Sequence, residues 1–67
     1  MTKTSLQGRE VIFEFAQIGQ IVKVTAMDTK SLTEISIQGP ISTPQNILQQ
    51  NALKRLQYVL NKKGIVS

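Results

Sequence analysis

Four carboxylates, with neither a histidine nor a cysteine, set the chemical repertoire of this 67-residue chain. Without imidazole or thiol, the commonest general base and the strongest side-chain nucleophile are missing. Glu10, Glu14, Asp28 and Glu34 all lie in the first half of the sequence. Acid–base work by two carboxylates needs a close pair in unlike surroundings. Glu14 reads instead as half of a cross-strand pair with Lys23, and Asp28 as a turn residue bonding the backbone that follows it. Ser31, Ser36 and Ser42 have no base partner to activate a hydroxyl. Lack of Cys and His also removes the usual structural zinc sites. The reading is a protein that is not an enzyme, with no catalytic, metal or cofactor site.

Two other groupings suit contact rather than reaction. Lys54, Arg55 and Lys62 surround Tyr58 at helical spacing, with Lys63 next in line. An aromatic ring among cations can stack a nucleobase while the charges neutralise phosphates. The plainer interpretation is a solvated helix face whose tyrosine covers its neighbours' aliphatic stems. The net charge of +4 permits an anionic partner without demanding one. The second grouping is Ile12, Ile21 and Met27, which alternate onto the outward side of the expected sheet. Scattered apolar groups there are ordinary, whereas a contiguous patch would mark a protein contact. The favoured reading is a small protein-interaction module, either self-associating as a homodimer or taking an unknown protein partner. Nucleic-acid binding by Lys54, Arg55, Tyr58, Lys62 and Lys63 is the runner-up.

These residues must be positioned by a few elements. The spacing predicts an amphipathic helix over 43–63. Leu48, Ala52, Leu53, Leu56, Val59 and Leu60 recur every three or four residues and fall within an arc of about 140°, the width of a stripe laid on a core. Ile47 and Tyr58 stand on the other side. Pro44 suits the first helical position and pushes Thr43 towards an N-cap conformation, with Ser42 and Gln45 as a competing capping box. Gly64 is a natural residue to follow the C-cap.

Before the helix, residues 1–8 are polar and aperiodic and read as a disordered tail, leaving a single domain over 9–64. Period-two alternation predicts strands over 9–16, 21–27 and 32–38, with Val11, Phe13, Phe15, Val22, Val24, Ala26, Ile35 and Ile37 on one face. Partners summing to 37 would set Phe15 opposite Val22 and Glu14 opposite Lys23, around a four-residue loop Gln17–Gln20 with Gly19 at the unusual dihedral. For the second hairpin, partners summing to 61 match Ala26 with Ile35 and Val24 with Ile37. Gly39-Pro40 ends the third strand. The fold class is therefore α+β: a three-stranded antiparallel meander with a C-terminal helix packed on one face, β-β-β-α. Both outer strands would have free edges, the first guarded only by acidic residues.

Several segments carry a family likeness. They are Glu10–Phe15, Gly19, Val22–Asp28, Thr33–Pro40 and Ala52–Leu60, with Gly39-Pro40 and the Ala-Leu-x-x-Leu-x-Tyr run the most specific. Together they resemble a family of very short, uncharacterised proteins of alphaproteobacterial type, some labelled serine hydroxymethyltransferase. The likeness implies no functional residue. A pyridoxal phosphate enzyme needs a Schiff-base lysine in a built pocket, and two layers of this size leave almost no cavity.

Length and composition set the remaining bounds. A domain this small buries only about 60% of its unfolded surface, so association is one route to added stability. The opening residues show no apolar signal region, and no run approaches the ~20 apolar residues of a membrane span. With the absence of cysteine, this gives a cytoplasmic expectation.

Overall fold

Period-two alternation becomes strand and 3.6-residue alternation becomes helix along most of the chain. A computed structural model describes the backbone of residues 2–6 and 8–65, with side chains at 5 and 8–65. The elements are β1 (Thr2–Leu6), β2 (Arg9–Ile18), β3 (Ile21–Asp28), β4 (Glu34–Pro40) and α1 (Gln45–Lys62). The strands form one antiparallel sheet in the order β1-β2-β3-β4. Helix α1 lies across one face, over β3 and β4. The α+β arrangement of a meander followed by a packed helix is therefore present, with one strand more than expected.

The core is where the two periodicities meet. Val11 and Phe13 of β2, Val24 and Ala26 of β3, and Leu48, Ala52, Leu56 and Leu60 of α1 are all buried. The buried helix positions recur every fourth residue, a narrower stripe than the six-residue arc. Leu53 is only half-buried against it, as are Phe15, Val22, Ile35 and Ile37 of the sheet. Gly39 lets the start of the helix approach, because a Cβ there would lie 2.5 Å from Leu48 Cδ2.

Five local expectations are corrected. Thr2–Leu6 is not a tail but an edge strand, paired from Thr2↔Phe13 to Leu6↔Arg9. Its TKTSL sequence hides it, since a polar edge strand carries no apolar alternation. Met1 and Gln7, also assigned to the tail, lie outside the described residues.

The β2–β3 partners sum to 39, not 37: Phe15 faces Val24, Glu14 faces Thr25, and Lys23 faces Ala16. The loop is the two-residue turn Gly19-Gln20, closed by Ile18↔Ile21. Moving the turn along by one residue gives the left-handed position to Gly19 (φ +61°) instead of the β-branched Ile18. Each partner thereby slips by two residues, so every side chain keeps its face.

β4 keeps the expected register, with Ala26↔Ile35 and Val24↔Ile37, but starts at Glu34 and runs through Pro40. Proline fits because of where its nitrogen points. The Asp28 N–H donates to Thr33 O (2.8 Å) and the Ile41 N–H to Gln20 O (2.9 Å), so odd-numbered residues of β4 bond β3. Pro40 then turns its missing N–H to the free edge, where no ladder bond is lost.

At the helix start, Pro44 (φ −56°, ψ 140°) is itself the N-cap and no side chain caps it. Thr43 serves the approach instead, its N–H donating to Pro40 O (2.9 Å). At the far end Gly64 (φ +74°) takes its expected place. Its N–H donates to Asn61 O (3.0 Å) and the Ile65 N–H to Leu60 O (2.9 Å), the two bonds of a Schellman cap.

The free edges also differ. β1 covers β2 from Arg9 to Phe13, so the open edges are β1, β4 and the remainder of β2.

Candidate functional site

One of the four carboxylates is exceptional. Asp28 is fully buried at the end of β3, on the helix side, in register with Val11. Arg9, two residues along β2 on the same face, reaches it diagonally. Its Nε donates to both carboxylate oxygens (3.1 Å each) and its Nη2 to Oδ2 (2.8 Å). The Ser31 N–H (3.0 Å) and hydroxyl (2.6 Å) also bond Oδ2, and Ser31 Oγ lies 2.8 Å from Thr33 Oγ1. Among the described residues, no buried side-chain nitrogen or oxygen lacks a partner.

The electrostatics follow from the geometry. Hydrogen bonds from Arg9 hold the Asp28 carboxyl well below the usual carboxylate range, against the opposing cost of burial, and the Ser31 donors add to the shift. The same bond raises the Arg9 guanidinium above its ordinary value. A carboxylate held ionised and fully bonded is a clamp, not a proton carrier. It fastens the 29–32 loop and the start of β2 together, where the Thr29 N–H and hydroxyl both donate to Glu10 O (3.1 Å each). Asp28 does bond the backbone that follows it, through the Ser31 N–H, but the turn reading missed its bond to Arg9. The signal was present in its parity: Asp28 alternates with Val24 and Ala26, and Arg9 with Val11 and Phe13, which puts both on the core face.

The open face of the sheet separates the three apolar contact candidates. Ile12 and Met27 are cross-strand partners and both half-buried. They line a shallow depression of about 90 Å³ together with Glu14, Thr25 and Glu34. Ile21 lies six residues along β3 from Met27, roughly 20 Å away, with Lys23 and Thr25 between them on that face. It belongs to a different end, beside Ile18 and Pro40, where Ile18 is 64% and Ile21 44% exposed. A second depression of about 320 Å³ opens there, lined by Gln20, Ile21, Gln38, Gly39 and Pro40. The three residues therefore do not make one contiguous patch but stand at two ends of the face.

The back of α1 holds the cationic candidates together. Lys54, Arg55, Tyr58, Lys62 and Lys63 are all exposed, and the Arg55 guanidinium sits 5.4 Å from the centroid of the Tyr58 ring. No carboxylate follows Glu34 in the sequence. Lys3, Arg9, Lys23 and Lys30 balance the four acids of the first half, so the whole net charge of +4 is carried by α1 and its C-cap.

No helix among the described residues is long and apolar enough to cross a membrane. No group of three or more acidic residues among them is placed to hold a metal ion. A family model described as Domain of unknown function (DUF6898) matches residues 8–63, which span β2, β3, β4 and α1. The chain belongs to the DUF6898 family. The matched span takes in the Arg9–Asp28 clamp, the open face and the helix back of the DUF6898 domain, and leaves out β1. Neither the curated proteins nor the solved structures contain a match to the chain.

Proposed function

We propose that the DUF6898 domain is a non-enzymatic protein-contact module working through the open side of its sheet. The observation that carries this reading is the inequality of the two faces. The helix covers one, while the other leaves Ile12 and Met27 half-buried around a shallow floor and Ile18 and Ile21 exposed. Its one carboxylate in an unusual environment, Asp28, is already engaged by Arg9 and Ser31 and is spoken for structurally. The cysteine-free sequence suits action in the cytoplasm.

A photoreactive amino acid at Ser36, on the open face, tests the reading against a control at Lys30 in the loop. Protein adducts from position 36 and none from position 30 are expected in the native cell. An absence of protein adducts at position 36 ends the reading. A second reading, nucleic-acid binding by the helix back, draws on the exposed Lys54, Arg55, Lys62 and Lys63 and the Arg55–Tyr58 stack. It requires salt-sensitive retardation of a random single-stranded oligonucleotide, and a mobility unchanged at low salt removes it.

A further inference from the structure

We infer that the occupant of the open face is the helix back of a second copy of the chain, docked head to tail. The inference rests on the open-face reading above and names its partner.

Two surface patterns of the domain match. On the open face, Glu14 of β2 and Glu34 of β4 flank β3 diagonally, one two-residue step apart. From sheet spacings their Cα atoms are about 12 Å apart. Between them lies the shallow floor of Ile12, Thr25 and Met27. Neither carboxylate forms an ion pair among the described residues. On the helix back, Arg55 and Lys62 are seven residues apart, a rise of about 10.5 Å along nearly the same azimuth. Between them lies Tyr58, 53% exposed. One surface thus reads acid, apolar floor, acid; the other reads cation, aromatic ring, cation, at nearly the same spacing. Docking sets the tyrosine on the floor beside Met27, a favourable sulfur–aromatic contact, and both cations on carboxylates.

The charge distribution supports the pairing. A surface helix ordinarily mixes both signs and gains from acidic residues in its first turn. Helix α1 has no acidic residue in its first turn, nor any elsewhere. Its cations therefore have no carboxylate on their own element, while the sheet holds two without ion-pair partners. Lys23, the cation of the open face, does not cancel this, for it lies one row beyond Glu14. Because the two surfaces differ, the contact is heterologous. It closes as a ring or continues as a chain, and does not stop at a two-fold dimer.

The test uses two variants altered only at exposed positions, each checked for an unchanged melting temperature. Arg55→Glu/Lys62→Glu removes the donor surface, and Glu14→Gln/Glu34→Gln removes the acceptor. In sedimentation at low salt, the wild type is expected to form species larger than dimers. Raising the salt to about 0.5 M should weaken this association about tenfold. Each variant alone should stay monomeric. An equimolar mixture should form a complex of two chains and no more, because only one complementary contact remains.

Association that persists in either variant overturns the helix-to-sheet pairing and leaves the open-face reading standing. A wild type that remains monomeric at low salt overturns it too, and the Ser36 crosslink then decides the broader reading by itself. A monomer that retards the oligonucleotide through Arg55 and Lys62 assigns the helix back to nucleic acid and also overturns the pairing.

Discussion

The two hairpin connections at either end of β3 each contain one residue at φ +61°, but one is Gly19 and the other Leu32. The difference lies in what else holds each loop. Gly19-Gln20 is a minimal turn, and no atom outside its chain neighbours lies within 4 Å of where a Gly19 Cβ would stand. Its geometry is set by the two residues alone, so the residue free to adopt positive φ must occupy the left-handed position. The 29–32 loop is held from outside. The Leu32 N–H donates to Asp28 O (2.8 Å), and the Asp28 carboxylate grips Ser31 from one side and Arg9 from the other. With the backbone fixed on both flanks, a leucine is held where it would not go by itself. A turn without tertiary support needs glycine, and a clamped one tolerates strain.

Of the two loops, the clamped one should suffer most from a single substitution. Asp28→Ala strips Arg9 of its partner and leaves a guanidinium in a largely buried site, at a cost of about 3–5 kcal/mol. In a domain this small, urea denaturation should show most of the stability gone, with Leu32 no longer held. A loss under 1 kcal/mol would mean that the loop shapes itself.

Acid attacks the same point. The folded pKa of Asp28 is depressed, so its stabilisation is full only well above the unfolded carboxylate value, near 3.9. It is lost progressively as pH falls below about 5 and on towards the folded value. Thermal melts from pH 7 down to pH 3 should show this loss in the wild type. They should be much flatter in Asp28→Asn, which has no charge to titrate there.

Gly19→Ala meets no steric obstacle and tests backbone conformation alone. It should cost about 1–2 kcal/mol, read as a shift in the urea midpoint at constant slope. The smallest effect is a gain. Leu32→Gly gives up little packing, since Leu32 is 70% exposed, and relieves the left-handed strain. A stabilisation of about 0.5–1 kcal/mol should follow, after the entropy that glycine adds to the unfolded chain. If Leu32→Gly instead destabilises the domain, the leucine makes a contact that outweighs its strain.

Much of this architecture was legible in the residues, and the failures share a cause. The inward faces of β2, β3 and β4, the helix stripe through Leu48, Leu56 and Leu60, and Gly64 after the C-cap follow from period and local chemistry. The β3–β4 register followed too. The β2–β3 register did not, because sums of 37 and 39 satisfy the same alternation. Only the choice of left-handed residue separates them, and the two-residue turn Gly19-Gln20 gives that place to glycine while leaving every face unchanged. Strand β1 was invisible because Thr2–Leu6 pairs through its backbone and shows no apolar pattern. Of the candidate sites, the cations around Tyr58 are brought onto one exposed helix face as their spacing implied, while Ile21 is parted from Ile12 and Met27 by the length of β3.

Alternation alone says which side chains turn inward, since it is a property of the local chain and survives any slip of two residues. The order of the charged residues likewise puts all net charge on the last helix. The folded chain alone settled which residues meet across β2 and β3, and that Arg9 and Asp28, nineteen residues apart, would share a bond at the edge of the core. Burying an ion pair depends on a register and a covering layer that no short window of residues contains.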